Sequence, residues 1–127
     1  MRREQREVLN LVKGYKTSNP FELCDLLGIN LNYSYLGTLR GFYRYSKRNH
    51  FIEINSELTI AERYATCAHE LGHYILHQGM NGIFLSSTLM LPTKYENQAD
   101  TFALYLLLEY YGSIEDIPTR LLNIIRR

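Results

Sequence analysis

The chain has 127 residues, 46% of them apolar and 21% charged, which is enough for one domain with a real core and an ordinary globular composition. Its net charge of +1 gives no overall pull toward nucleic acid, and its apolar runs are too short to span a bilayer. The N-terminus, MRREQREVLN, is too charged for a signal peptide, and two cysteines, Cys24 and Cys67, suit a reducing cytoplasm better than a disulfide framework.

In chain order, residues 2–15 read as an amphipathic helix, with Val8, Leu11, Val12 and Tyr15 at helical spacing. Ser18, Asn19 and Pro20 stop that helix and start a short one through Phe21–Leu27, closed by Gly28. The period then changes to two. Residues 29–36 alternate as a strand does, and GFYRYSKRNHFIEIN, 41–55, reads as a hairpin turning at Ser46–Asn49. Tyr43 and Tyr45 share one face of its first strand, Ile52 and Ile54 one face of its second. His50 is assigned to the turn. Helical spacing returns through Glu57–His77, with Ser56 or Thr59 as cap and Glu62 completing a capping box on Thr59. Gly79 and Gly82 end this helix. A loop through Ser86–Pro92 leads to a long helix over about 93–111, ended by Gly112, and a last short helix starts near Pro118. Strands that run consecutively between blocks of helices predict an α+β class, with residues 1–127 as a single domain built on N-terminal helices, a short antiparallel hairpin sheet and a helix pair.

The first half carries nine Lys/Arg against four Asp/Glu over residues 1–50, and the second carries five against nine. The acidic half holds HELGH, residues 69–73. Residues four apart on a helix project from one face, so His69 and His73 can meet one ion without bending the backbone. Nitrogen ligands in tetrahedral geometry suit zinc. Glu70 points about 100° round from His69, where it can reach a water held on the metal, the general-base position of a metallopeptidase. Gly72 leaves room for close approach by substrate or a neighbouring element, at a helix-propensity cost of about 1 kcal/mol.

A catalytic zinc needs a third protein ligand. The H-x-x-G-x-x-H extension would place it at position 79, which is glycine, so that subclass is excluded. The second helix offers a carboxylate instead. Glu96 can ligate, and Asp100, one turn on, can accept the second N–H of a ligating histidine, His69 above all, fixing its tautomer. Ala99 and Ala103 on the same side let the helices pack closely. His77, one turn beyond His73, reads as a buried histidine behind the ligands. Cys24 and Cys67 read as core. Tyr64, Tyr74, Tyr95 and Tyr105 are all candidate oxyanion donors, and the sequence does not choose among them.

With HELGH-x-x-x-H at 69–77, E-x-x-A-D-x-F-A at 96–103, N-P-F-E-L-C-D-L-L-G-I-N before the hairpin and I-E-I-N-S before the zinc helix, the chain resembles the ImmA/IrrE family of zinc metallopeptidases over most of residues 15–110. The resemblance implies a thermolysin-like site, with His69, His73 and Glu96 as ligands and Glu70 as the catalytic glutamate. It further implies a phage or mobile-element setting and a helix-turn-helix repressor as target. Two features depart from the family: F-A is followed by Leu-Tyr-Leu-Leu-Leu-Glu without a proline, so the helix should run on, and many members carry a longer C-terminal region.

The expected function is therefore a Zn²⁺-dependent, cytoplasmic endopeptidase cleaving a specific protein substrate. The other class is a zinc-stabilised binding module that inactivates its partner by holding it, and only the enzyme needs Glu70. Direct nucleic-acid binding would need a basic recognition helix, and none stands out. An extended substrate segment is expected to add to the edge of the hairpin 41–55 through main-chain hydrogen bonds.

Overall fold

The computed structural model describes residues 1–77 and 93–125, the side chains of Arg120, Ile124 and Ile125 excepted. The expected loop Ser86–Pro92 and the helix-ending Gly79 and Gly82 lie outside the described residues.

Helix α1 spans Arg3–Tyr15 and buries Val8, with Leu11 and Val12 packed beside it. Tyr15, expected on the same stripe, is 41% exposed, because the last turn runs past the edge of the core. The helix ends at Lys16, whose left-handed backbone (φ 60°) lets its N–H donate to the Val12 carbonyl at 2.8 Å. Asn19 then caps α2, Pro20–Leu26: its side-chain oxygen accepts from the N–H groups of Phe21 and Glu22 at 2.9 and 3.4 Å, and Pro20 takes the first helical position, where no N–H is needed.

Three strands follow: β1 Ile29–Ser34, β2 Gly41–Ser46 and β3 Asn49–Asn55, in the order β1-β3-β2. β2 and β3 form the expected antiparallel hairpin, and Lys47 and Arg48 both adopt positive φ at its two-residue turn, the twist that matches paired strands. β1 joins β3 in parallel, so the sheet is mixed. The segment 35–40 carries the chain across the end of β3, from one edge of the sheet to the other. Asn55 holds that crossing: its amide donates to the carbonyls of Gly37 (3.0 Å) and Leu39 (2.7 Å), and its oxygen accepts from the Glu57 N–H (3.0 Å). On the outer face, Glu53 of the central strand accepts from Arg44 of β2 at 3.1 Å and Asn32 of β1 at 3.0 Å, tying both edges to the middle.

Helix α3, Ile60–Leu76, is capped by Thr59 rather than Ser56. The Thr59 hydroxyl accepts from the Glu62 N–H at 3.2 Å, and the Glu62 carboxylate accepts from the Thr59 N–H at 2.9 Å, a complete capping box. One side of α3 lies against the sheet, where Tyr43, Ile52 and Ile54 are buried in one core with Ala65, Ala68 and Leu71. Gly41 permits the approach, since a Cβ there would stand 2.8 Å from the Thr66 methyl and 2.5 Å from the Glu53 carbonyl oxygen.

Helix α4, Thr93–Tyr111, covers another side of α3 and runs on as the missing proline predicts. It ends at Gly112, whose φ of +95° and N–H bond to the Leu108 carbonyl (2.8 Å) form a left-handed stop. A single 3₁₀ turn, Ile114–Asp116, and helix α5, Thr119–Ile125, then bring Ile117 and Leu121 into the core. The architecture is a small α+β domain, and among the described residues no helix is long and apolar enough to cross a membrane.

Candidate metal centre

The α3–α4 seam is close because α3 has no side chain at position 72. A Cβ on Gly72 would lie 3.1 Å from a ring carbon of Phe102 and 3.2 Å from both the Cα and the carbonyl oxygen of Ala99. Gly72 therefore serves packing between helices, with Ala99 and Ala103 fully buried in the core around it. Helical spacing then presents His69 and His73 from α3 opposite Glu96 and Asp100 from α4.

The Glu96 carboxylate spans the two rings, one oxygen to each: Oε2 lies 3.1 Å from His69 Nε2 and Oε1 lies 3.0 Å from His73 Nε2. One ligand atom from each of His69, His73 and Glu96 lies within 4.8 Å of the others, a group able to hold a metal ion. Four ligands about 2.0–2.1 Å from a tetrahedral ion stand about 3.4 Å apart, a little more than either contact that Glu96 makes with the two rings.

Each ring of the cluster has a partner on its other nitrogen. His69 Nδ1 lies 2.8 Å from Asp100 Oδ1, the contact expected of Asp100. His73 Nδ1 lies 3.1 Å from His77 Nδ1, and His77 Nε2 lies 2.8 Å from Gln98 Oε1. His77 is 3% exposed and Tyr95 packs edge-on to its ring at 4.9 Å between centroids. Arg3 of α1 donates to the Leu76 carbonyl at 2.7 Å, which anchors the end of α3 that carries His77.

The charges of the cluster act on one another. Burial opposes a charge on His69, yet its hydrogen bonds to Asp100 and Glu96 and the nearby carboxylate charges outweigh it and hold its pKa up at about 10. Burial would raise Glu96, but the hydrogen bonds and charges of His69 and His73 bring it down to about 2. Burial lowers His77.

Glu70 points to the other side, toward β2. It is 3% exposed, its Oε2 stands 3.9 Å from His69 Nε2, and burial raises its pKa despite the opposing pull of His69 and His73. Its Oε1 has no hydrogen-bond partner within the described residues. The Tyr43 main-chain N–H lies close enough to draw the carboxylate's pKa part of the way down. That N–H lies on β2, which among the described residues is an edge strand paired only with β3. The Asn55 N–H bonds to the Arg40 carbonyl at 2.8 Å, so antiparallel alternation turns Phe42 and Arg44 toward β3 and leaves the main-chain groups of Gly41, Tyr43 and Tyr45 facing outward.

The remaining candidates fall elsewhere. His50 is not in the turn. It lies in β3 with its ring among Tyr43, Tyr45 and Tyr74, and its Nδ1 is hydrogen-bonded to the Tyr43 hydroxyl. Tyr64 packs on Phe21 and Tyr110. Tyr74 belongs to the His50 cluster, Tyr105 packs against the core, and Tyr95 packs on His77. Cys24 and Cys67 are fully buried, with their sulfurs 3.6 Å apart. Gln98 and Arg3 were not expected near the site. Their contacts depend on how α1, α3 and α4 cross, which local spacing does not encode.

Residues 24–121 match the family model of the IrrE N-terminal-like domain, peptidase family M78. The chain is similar to immunity region protein 2 of Bacillus phage phi105, 48% identical over 103 residues that make up 80% of this chain and 65% of the relative. It is also similar to metallopeptidase ImmA of Bacillus subtilis strain 168, 33% identical over 107 residues, 82% of this chain and 62% of that protein. The chain thus aligns with less than two thirds of the length of these curated relatives. No solved structure matches it.

Proposed function

The chain belongs to the IrrE N-terminal-like domain family, and from that premise we propose that it is a zinc-dependent endopeptidase that cleaves one specific protein in the cytoplasm, a helix-turn-helix repressor of a phage or mobile element. The observation that carries the reading is the meeting of His69, His73 and Glu96 at one point beside a buried glutamate, Glu70, that is not used by the cluster. The names of the relatives support the setting: one is a phage immunity-region protein and the other a metallopeptidase.

Two imidazole nitrogens and one carboxylate oxygen are a donor set that zinc accepts, and zinc bound there supplies a water acidic enough to lose a proton near pH 7. The chain's own residues do the rest. Glu70 takes the proton of the attacking water through its carboxylate, whose Oε2 stands 3.9 Å from His69 Nε2, and delivers it to the leaving amide nitrogen. Its raised pKa brings it nearer to the pH at which such exchange is efficient. Asp100 holds the His69 ring in the orientation that keeps Nε2 toward Glu96. The outward main-chain groups of Gly41, Tyr43 and Tyr45 offer an extended substrate segment a strand to pair with, next to Glu70.

Glu70→Gln tests the reading against its rival, a zinc-stabilised module that inactivates its partner by holding it. Glutamine keeps the size of the side chain but cannot accept the proton. The variant should fold, bind metal and bind the repressor as the parent does, while cleavage falls by at least about 10²-fold. Relief of repression by the variant at the parental level, with the repressor left whole, would replace the enzyme with the binding module.

A further inference from the structure

His77 has no part in the chemistry above, yet it is a buried polar ring with both nitrogens occupied. A space-filling position at the end of α3 would be served by an apolar side chain, because a buried imidazole is costly unless its polar atoms are bonded. Here one nitrogen bonds to a ligand and the other to the opposite helix.

With His73 Nε2 given to a metal, the ring contacts take one set of proton positions. His73 presents Nε2 to the site, so its single ring proton sits on Nδ1 when Nε2 ligates. That N–H, 3.1 Å away, donates to His77 Nδ1. His77 can accept there only if its own proton is on Nε2, and that N–H faces Gln98 Oε1 at 2.8 Å, an acceptor. The reverse order, with the Gln98 amide turned to donate, would place a proton on His73 Nε2, facing Glu96 Oε1 at 3.0 Å, and close that nitrogen to metal. The backbone under His77 is also fixed: its N–H bonds to the His73 carbonyl at 3.0 Å, and Arg3 takes the neighbouring Leu76 carbonyl.

We propose that His77, oriented by Gln98, is the positioning residue for His73: it sets the tautomer that frees Nε2 for the metal and fixes the plane of the ring. The proposal rests on the metal-centre reading above. It assigns the two ligand histidines different supports, a carboxylate for His69 and a neutral histidine–glutamine chain for His73.

The test is zinc affinity of the full chain, measured by competition with a chromophoric chelator, with the visible spectrum of the Co²⁺ form as a second readout and melting in chelator as the check of folding. His77→Phe keeps the ring and removes the acceptor, and should weaken zinc binding about 10–100-fold and alter the Co²⁺ bands. His77→Asn places an amide oxygen where Nδ1 was and should recover most of that loss. Gln98→Leu, at a half-exposed position that does not threaten folding, should weaken zinc binding measurably, by about 3–10-fold, and shift the Co²⁺ bands. Zinc binding by His77→Phe within about twofold of the parent, or Asn as weak as Phe with folding intact, would overturn the proposal. Should His77→Phe fail to fold, Gln98→Leu decides, and unchanged affinity and Co²⁺ bands there would overturn it. A parent chain that binds no zinc would instead overturn the metal centre itself, and this proposal with it.

Discussion

The two sides of α3 treat their polar atoms in opposite ways. Toward α4, both nitrogens of His69, His73 and His77 and both oxygens of Glu96 have partners within hydrogen-bonding distance. Toward β2, one turn apart, Thr66 Oγ1 and Glu70 Oε1 are buried with none, and they are the buried side-chain atoms without a partner among the described residues. Burying an unsatisfied polar group costs about 1–3 kcal/mol. A seam in which everything is bonded holds its groups still, which is what ligands need. On the other side a buried carboxylate oxygen is left without a partner, and in the reading proposed above that carboxylate is the base. On that reading the contrast divides holding from reacting across a single helix.

The sharpest break comes from removing one of the three residues proposed to hold the metal. His69→Ala, His73→Ala and Glu96→Ala should each reduce bound zinc, measured by elemental analysis after purification without added metal, from near one equivalent to under about a tenth. Full zinc in any of the three would remove that residue from the site. Asp100→Ala should keep the metal but weaken it about 10–100-fold, because His69 loses the carboxylate that orients its Nδ1. Thr66, on the other side of the helix, should show no such dependence.

Acidity sharpens the same contrast. In the metal-free chain the His69 pKa is raised from 6.5 to about 10, so the stability it contributes is complete below 6.5 and is lost as the pH rises through 10. Glu96 is lowered from 4.5 to about 2, so its contribution is complete above 4.5 and is lost as the pH falls toward 2. The two shifts describe one shared set of contacts and are not added. Chelated protein should therefore melt highest between pH 4.5 and 6.5, and raising the pH from 5.5 to 8.5 should cost on the order of 2 kcal/mol, read as a fall in Tm. Zinc affinity should move the other way and climb over the same range, since the metal must displace the proton on His69. Affinity that fell with rising pH would show that this proton does not compete with the metal.

Much of this seam is legible in the sequence, because it is built from local rules. The capping box of Thr59 and Glu62, the two i,i+4 pairs His69/His73 and Glu96/Asp100, and the glycine at 72 each follow from spacing along one helix. The sheet is less legible. Period-two alternation gives the three strands, but the parallel pairing of β1 with β3 depends on a crossing that Asn55 secures from 16–18 residues away. His50 was misplaced for a similar reason: it adjoins the polar turn in sequence, while its ring finds Tyr43 across the hairpin and Tyr74 on α3. Gln98 carries no signal at all, being an ordinary helix residue until the two helices are laid together.

The smallest expected effect tests the other side of the helix. Thr66 lies one turn before Glu70 on the same face, packed by its methyl beneath Gly41. Thr66→Val keeps that methyl and replaces the unpartnered hydroxyl with another of the same size. If the hydroxyl contributes nothing to the reaction, the change removes a buried unsatisfied group and should stabilise the protein by about 1 kcal/mol, a rise in Tm of about 3–6 °C for a domain of this size. Zinc affinity and cleavage should not change. A lower Tm would mean that the hydroxyl has a stabilising partner after all. A folded, zinc-loaded variant that had lost cleavage would carry more weight, since it would place Thr66 with Glu70 among the groups that meet the substrate. In that case the open side of α3 would hold two reacting positions instead of one reacting position and one packing cost.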